Sequence, residues 1–234
     1  MSIRQLGSPG KLINAANSLR CWEGSRYSAL RSIYLHKGPR VAGLKRDPEE
    51  AFVTHNGHKY GVSEENLKPI KSFLSDKYAI TDDLALQVLT HKSFGNGIKP
   101  YNEKLGAMGS KMLNLFFAKF VVEQPSTNEL AINGKNLDVL GTPVAKELAG
   151  RLALGIFARS NNLNSTMFWK SYNHGVGFET SGEMKVSAQM MYALVGAVTF
   201  VHGKTVAEEF IREKLLGASP SIEDITSSVV EKAQ

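Results

Sequence analysis

Nine of the first 46 residues are Lys or Arg: Arg4, Lys11, Arg20, Arg26, Arg31, Lys37, Arg40, Lys45 and Arg46. Only Glu23 opposes them, so the segment carries +8. Side chains of this kind neutralise phosphates, and each phosphate neutralised releases a condensed counterion. These nine residues are therefore the candidate RNA contacts. Trp22, Tyr27 and Tyr34 lie among them and have faces on which bases can stack. A matrix-targeting presequence has the same chemistry, being rich in Arg and Ser and poor in acids, and a solvated tail is a third reading. The remaining 188 residues hold 19 basic and 21 acidic side chains, a charge of −2. The positive charge is a property of the leading segment rather than of the body.

Other residues that could do chemistry lack companions. His55 and His58 are close in sequence, but no second cysteine or nearby acidic cluster completes a metal site. His91 has no neighbours that make a catalytic triad. Cys21 is the single cysteine, which precludes an intrachain disulfide and suits a reducing compartment or a matrix. Neither a metal nor a cofactor is expected. With 42% hydrophobic and 21% charged residues, the chain has the composition of a folded domain rather than a disordered one.

The elements that position these residues are helical. Residues 1–46 form the basic extension, and 47–62 a linker or small hairpin around Asn56-Gly57. Residues 63–217 are the helical body and 218–234 a polar, Ser-rich tail. Ser63 begins a capped helix with Leu67, Ile70, Phe73 and Leu74 on one face. Thr81 starts a second, and the stretch 95–100 breaks it. Residues 102–123 form a long helix, 143–158 another, and 160–165 a polar connector. Residues 183–202 are strongly apolar, and 205–216 amphipathic. The run 186–201 is apolar apart from Ser187, Gln189, Tyr192 and Thr199. It is shorter than the ~20 residues a bilayer requires, so a buried helix is expected and no membrane span.

Three segments, in order, carry a resemblance. The first is Leu89-Thr90-His91-Lys92-Ser93-Phe94. The second runs from Asn102-Glu103-Lys104-Leu105-Gly106 through Ala107-Met108-Gly109-Ser110 to Lys111-Met112-Leu113. The third is Ala188-Gln189-Met190-Met191-Tyr192-Ala193-Leu194-Val195-Gly196-Ala197. Together they resemble the RNase III endonuclease family, over roughly residues 67–216. The resemblance implies an all-α, RNase III-type helical domain. It also implies where that family's magnesium-binding carboxylates belong: at positions i, i+3 and i+7 of one helix, and i, i+3 of a second. Here those positions are Glu103, Gly106 and Ser110, then Gln189 and Tyr192. Magnesium demands hard, charged oxygen ligands, and a pair of such ions can activate water against a phosphodiester. One carboxylate among five positions does not support that chemistry, so no catalytic residue and no enzyme are expected. Glu103 has a plainer reading as a first-turn acid favoured by the helix dipole.

Gly106 and Gly109 inside a helix each cost about 1 kcal/mol relative to Ala, which close packing of another helix would explain. The resemblance places such packing at the family's dimer interface, which would here include Gly106, Gly109, Leu113, Met191 and Leu194. Within the family the chain most resembles the RNase III-like proteins of fungal mitochondrial large ribosomal subunits. That implies a structural ribosomal constituent in the mitochondrial matrix. Its implied partners are rRNA, neighbouring mitoribosomal proteins and a second RNase III-like protein bearing a double-stranded RNA-binding domain. Only 17 residues follow Gly217, too few for such a module in this chain. An RNA-processing endoribonuclease subunit and a mitoribosome assembly adaptor are the alternatives.

Overall fold

The computed structural model describes residues 52–129, 131–171 and 175–233. Among them are seven α-helices and no named β-strand, only isolated bridges. The basic-arm residues Arg4, Lys11, Arg20, Arg26, Arg31, Lys37, Arg40, Lys45 and Arg46 lie outside the described residues, as do Trp22, Tyr27 and Tyr34.

Residues 52–62 make a tight hairpin. Thr54 N–H donates to the His58 carbonyl at 2.9 Å, and Tyr60 N–H to that of Phe52 at 2.8 Å. Gly57 takes the left-handed conformation the turn requires, at φ +83°. The hairpin is anchored by the Asn66 amide, which donates to the carbonyls of Lys59 and Gly61 at 3.0 Å each. Phe52 and Tyr60 add aromatic contact to Phe94.

Helix α1 (Glu64–Leu74) is capped by the Ser63 hydroxyl and buries Leu67, Ile70 and Leu74. Helix α2 (Asp82–Leu89) buries Ala85, Leu86, Val88 and Leu89. Helix α3 (Glu103–Glu123) buries Gly106, Gly109, Met112, Leu113, Phe116 and Phe117, while Met108 points outward and is 40% exposed. Residues 143–158 do not form one helix. They split into α4 (Pro143–Glu147) and α5 (Arg151–Ser160). The break has a local cause: the Glu147 carboxylate folds back to accept from the Ala153 N–H at 3.0 Å, and a Cβ at Gly150 would strike that carboxylate. The expected polar connector contains a 3-10 turn, Leu163–Thr166, whose two end residues are buried.

Helix α6 (Glu183–Phe210) is the central element, with α3 along one side and α5 along another. It is interrupted at Gly203 (φ +82°, ψ 178°) and ends in a wider π-type turn, Ile211–Leu216. Every residue from Val186 to Val198 except Gln189 is buried. By length and composition alone α3 and α6 could cross a membrane, but two-thirds of the most apolar window of Glu183–Leu216 (67%) is buried inside the chain.

The polar-tail expectation is corrected. Residues 222–233 form helix α7 (Ile222–Ala233), which packs on α4 and α5. Its start is closed reciprocally: Asp224 N–H donates to the Ser221 hydroxyl oxygen at 3.1 Å, and Ser221 N–H to the Asp224 carboxylate at 3.0 Å. Ile222 and Thr226 are fully buried. Exposed Glu223, Asp224, Ser227 and Ser228 give the segment its polar composition and mask the sparse apolar stripe. Ile222→Ala is therefore expected to destabilise the fold by about 2–5 kcal/mol, as for other buried aliphatic truncations. Denaturant unfolding checks this; an unchanged midpoint would show that α7 does not dock.

Candidate functional site

The starts of α3 and α6 meet at a cavity of about 430 Å³. Asn102 and Glu103 come from α3 and its approach, and Gly182, Lys185, Val186 and Gln189 from α6 and its approach. His91, Lys92 and Ser93 enter from the turn after α2, Arg151 from the start of α5, and Trp169 and Lys170 from the connector before α6. The connector is held in register by backbone bonds: His91 N–H donates to the Phe168 carbonyl at 2.8 Å, and Phe168 N–H to that of Leu89 at 3.0 Å. Asn102 is tied in by its N–H to the Thr90 carbonyl at 2.9 Å and by its amide to the Val88 carbonyl at 3.0 Å. These bonds bring widely separated residues to one rim.

The five positions singled out in the sequence do not converge. Glu103 and Gln189 line the cavity. Gly106 lies directly beneath the Gln189 amide, which fills the space a side chain at 106 would take. Ser110, half-buried, lies farther along α3, outside the cavity lining. Tyr192 turns away, and its hydroxyl donates to the Ala149 carbonyl at 2.6 Å. Burial raises the Tyr192 phenol above its ordinary pKa; nearby Arg151 opposes this and Glu147 adds to it.

Charge in the cavity is mostly of one sign. Lys92, Arg151, Lys170 and Lys185 are cationic, and among the described residues Glu103 is the single carboxylate that lines it. Lys92 Nζ stands 3.2 Å from Glu103 Oε1. Two further acids nearby are engaged elsewhere: Glu147 on the Ala153 N–H, and Glu183 by the Asn164 amide at 2.7 Å. Among the described residues no group of three or more His, Cys, Asp or Glu is placed to hold a metal. One paired carboxylate ringed by four cations is a poor donor set for magnesium, which requires several anionic or strongly polar oxygens.

The expected dimer-interface residues are corrected too. Leu113, Met191 and Leu194 are fully buried within the chain. Gly106 and Gly109 are also buried, and a Cβ at Gly109 would run into the Tyr192 carbonyl oxygen and the Gly196 nitrogen. A Cβ at Gly196 would likewise meet the Leu105 carbonyl. Close helix packing does explain the glycines, but the neighbouring helix is the chain's own α6.

Residues 81–219 match the family model described as Ribonuclease-III-like. The chain belongs to that family. Among curated relatives it is similar to Large ribosomal subunit protein mL57 of Neurospora crassa, at 24% identity over 148 residues. That match covers 58% of this chain and 55% of the relative, so the chain spans little more than half of the protein it matches. Among solved structures it is similar to the nuclease domain of ribonuclease III from Campylobacter jejuni. Identity there is 21% and the TM-score 0.46, covering 65% of this chain and 98% of the other.

Sequence reasoning missed the cationic rim. Lys185 had a usable signal, since it lies four residues before Gln189 on one helix face. Lys92 sits inside the first family-like segment. Nothing in the sequence links Arg151, Lys170 or Trp169 to that place; the chain's path brings them there.

The helix crossing and the half-buried His91 can each be tested. Gly109→Ala gains about 1 kcal/mol of helix propensity but overpacks two backbones, at a cost of roughly 3 kcal/mol. A net loss of stability is expected, whereas Gly106→Ala is near neutral because only the tip of the Gln189 side chain must move. Equilibrium unfolding of both variants distinguishes the two, and equal effects would contradict the crossing geometry. For His91, burial lowers the pKa from 6.5, with Glu103 opposing and Lys92 reinforcing. Its Nδ1 accepts from the Ser93 N–H at 3.2 Å. Folding favours the neutral ring, so this contribution is complete above about pH 6.5 and is lost as pH falls through the folded-state value. Between pH 7.5 and 5 the wild type should lose more Tm than His91→Gln; equal losses would show that His91 does not couple folding to pH.

Proposed function

We propose that the chain is a non-catalytic structural component of the large subunit of the mitochondrial ribosome, resident in the matrix. Similarity to mL57 supports the ribosomal assignment. The observation that carries the non-catalytic part is the charge inventory of the cavity. Of five positions where the family resemblance calls for acids, Glu103 alone is a carboxylate, and it is paired with Lys92. An isolated carboxylate among cations cannot concentrate two divalent ions beside polyanionic RNA.

In this role the body contacts rRNA and neighbouring mitoribosomal proteins. The basic segment 1–46 adds phosphate contacts. A second RNase III-like protein with a double-stranded RNA-binding domain is the proposed partner. The surface available to it includes the outer side of α3, where Met108 and Leu115 are 40% and 49% exposed and lie seven residues apart on one face.

The test combines sedimentation and cleavage. The chain should remain with mitochondrial large subunits through a high-salt wash, and the double variant Met108→Asp/Leu115→Asp should be recovered at reduced stoichiometry. The purified chain should not cut double-stranded RNA in magnesium, and Glu103→Ala should leave that baseline unchanged. Magnesium-dependent cleavage abolished by Glu103→Ala would overturn the non-catalytic reading in favour of an endoribonuclease. Release in the salt wash would favour an assembly adaptor.

A further inference from the structure

We propose that the cation-lined cavity at the starts of α3 and α6 binds a backbone phosphate of RNA directly, with the adjoining base against Trp169. The inference deepens the structural role proposed above and rests on it for the source of the RNA.

Four observations support it. First, Arg151 and Lys185 are exposed side chains on the rim, reaching the space from different helices; Lys170 and Lys92, the latter paired with Glu103, also line it. Cations from separate elements around one concavity focus potential where an exposed single-element stripe would not. Arg151 can grip a phosphate through two parallel N–H bonds, and Lys185 adds a point charge. Second, both helices that start here are long, at 21 residues for α3 and several turns for α6 before its interruption at Gly203, so their positive dipole ends reinforce the side chains. Third, the backbone fixes part of the rim. Lys170 N–H donates to the Ser93 hydroxyl oxygen at 3.0 Å, and that hydroxyl is 2.9 Å from His91 Nδ1. The position of Lys170 in the chain is thus set by the same turn that carries Lys92.

The fourth observation selects RNA over a small anion. Trp169 and Ser181 line this cavity and also a second one of about 430 Å³. The second is lined by polar groups such as Asn56, Asn162 and Ser165, with the Glu183 carboxylate held by the Asn164 amide, and among the described residues no Lys or Arg lines it. A free phosphate would use only the cationic half. A nucleotide strand would place phosphate there, stack a base on the half-buried indole and offer base edges to the amides next door. The volumes suit a nucleotide-sized group.

Glu103 supplies a sign test. If the cavity holds phosphate, Glu103 opposes binding, and Glu103→Gln should tighten it. If the cavity holds metal, the same substitution should weaken a magnesium-dependent interaction.

The experiment uses the full chain and a short fluorescein-labelled RNA hairpin, read by anisotropy from about 50 to 200 mM salt. Arg151→Gln/Lys185→Gln should weaken binding by roughly tenfold or more and reduce the salt slope by about one for each phosphate left without its cation. An unchanged thermal melt confirms that the variant folds. Arg151→Lys should lose part of the affinity and keep the slope. In a Trp22→Phe background Trp169 is the sole tryptophan, and with selective tryptophan excitation the unlabelled hairpin should quench it where inorganic phosphate does not. Quenching by inorganic phosphate alone would reduce the site to an anion site and overturn the RNA assignment. Unchanged affinity and slope in the double variant would overturn the proposal outright. If that variant binds normally while the wild type still co-sediments with large subunits, the cavity inference falls and the ribosomal role stands. If the variant loses binding but the wild type does not co-sediment, the reverse holds.

Discussion

The close crossing of α3 and α6 governs the rest of this molecule. At Gly109 and Gly196 the two backbones approach until neither helix has room for a Cβ. Bare glycine in a helix costs about 1 kcal/mol per position, and the cost is offset only because the crossing lets long apolar flanks mesh. Leu113 and Phe117 of α3 and Met191 and Leu194 of α6 are buried in the core around it. The crossing also fixes where the helix starts lie, and so where a cavity opens between them.

That cavity holds two of the five positions at which the family resemblance expects acids, Glu103 and Gln189, and its lining is mostly cationic. Gln189 occupies the space over Gly106, and Tyr192 donates its hydroxyl to the Ala149 carbonyl inside the body. Both side chains serve packing and hydrogen bonding. Around them Lys92, Arg151, Lys170 and Lys185 face the opening. A cleft with the opposite charge pattern would draw cations to meet RNA. This one has the sign to meet the phosphate itself, and that difference ties the proposed absence of cleavage to the proposed retention of RNA contact.

The burial of the glycine face also reassigns the surface. Gly106 and Gly109 serve the chain's own helix pair and Leu113, Met191 and Leu194 are buried in its core, whereas Met108 and Leu115 face outward. The C-terminal helix α7 packs over α4 and α5 with Ile222 fully buried.

Several features were determined by the sequence itself. Local apolar periodicity set α1, α2 and α3, and the Ser63 cap set the start of α1, because both act within a few residues of themselves. Family-like segments in order pointed to the fold, and the residue types at 103, 106, 110, 189 and 192 were legible directly. The tertiary structure decided which of these share a place. Only Glu103 and Gln189 do, since a side chain's direction depends on what packs against it rather than on spacing alone. It also decided that residues 222–233 are a docked helix, through contacts with α4 and α5 that composition does not reveal, whereas the break at Gly150 comes from the local bond between Glu147 and Ala153. The cationic rim is the fullest case: its members are spread from Lys92 to Lys185, and only the chain's path through three dimensions makes them neighbours.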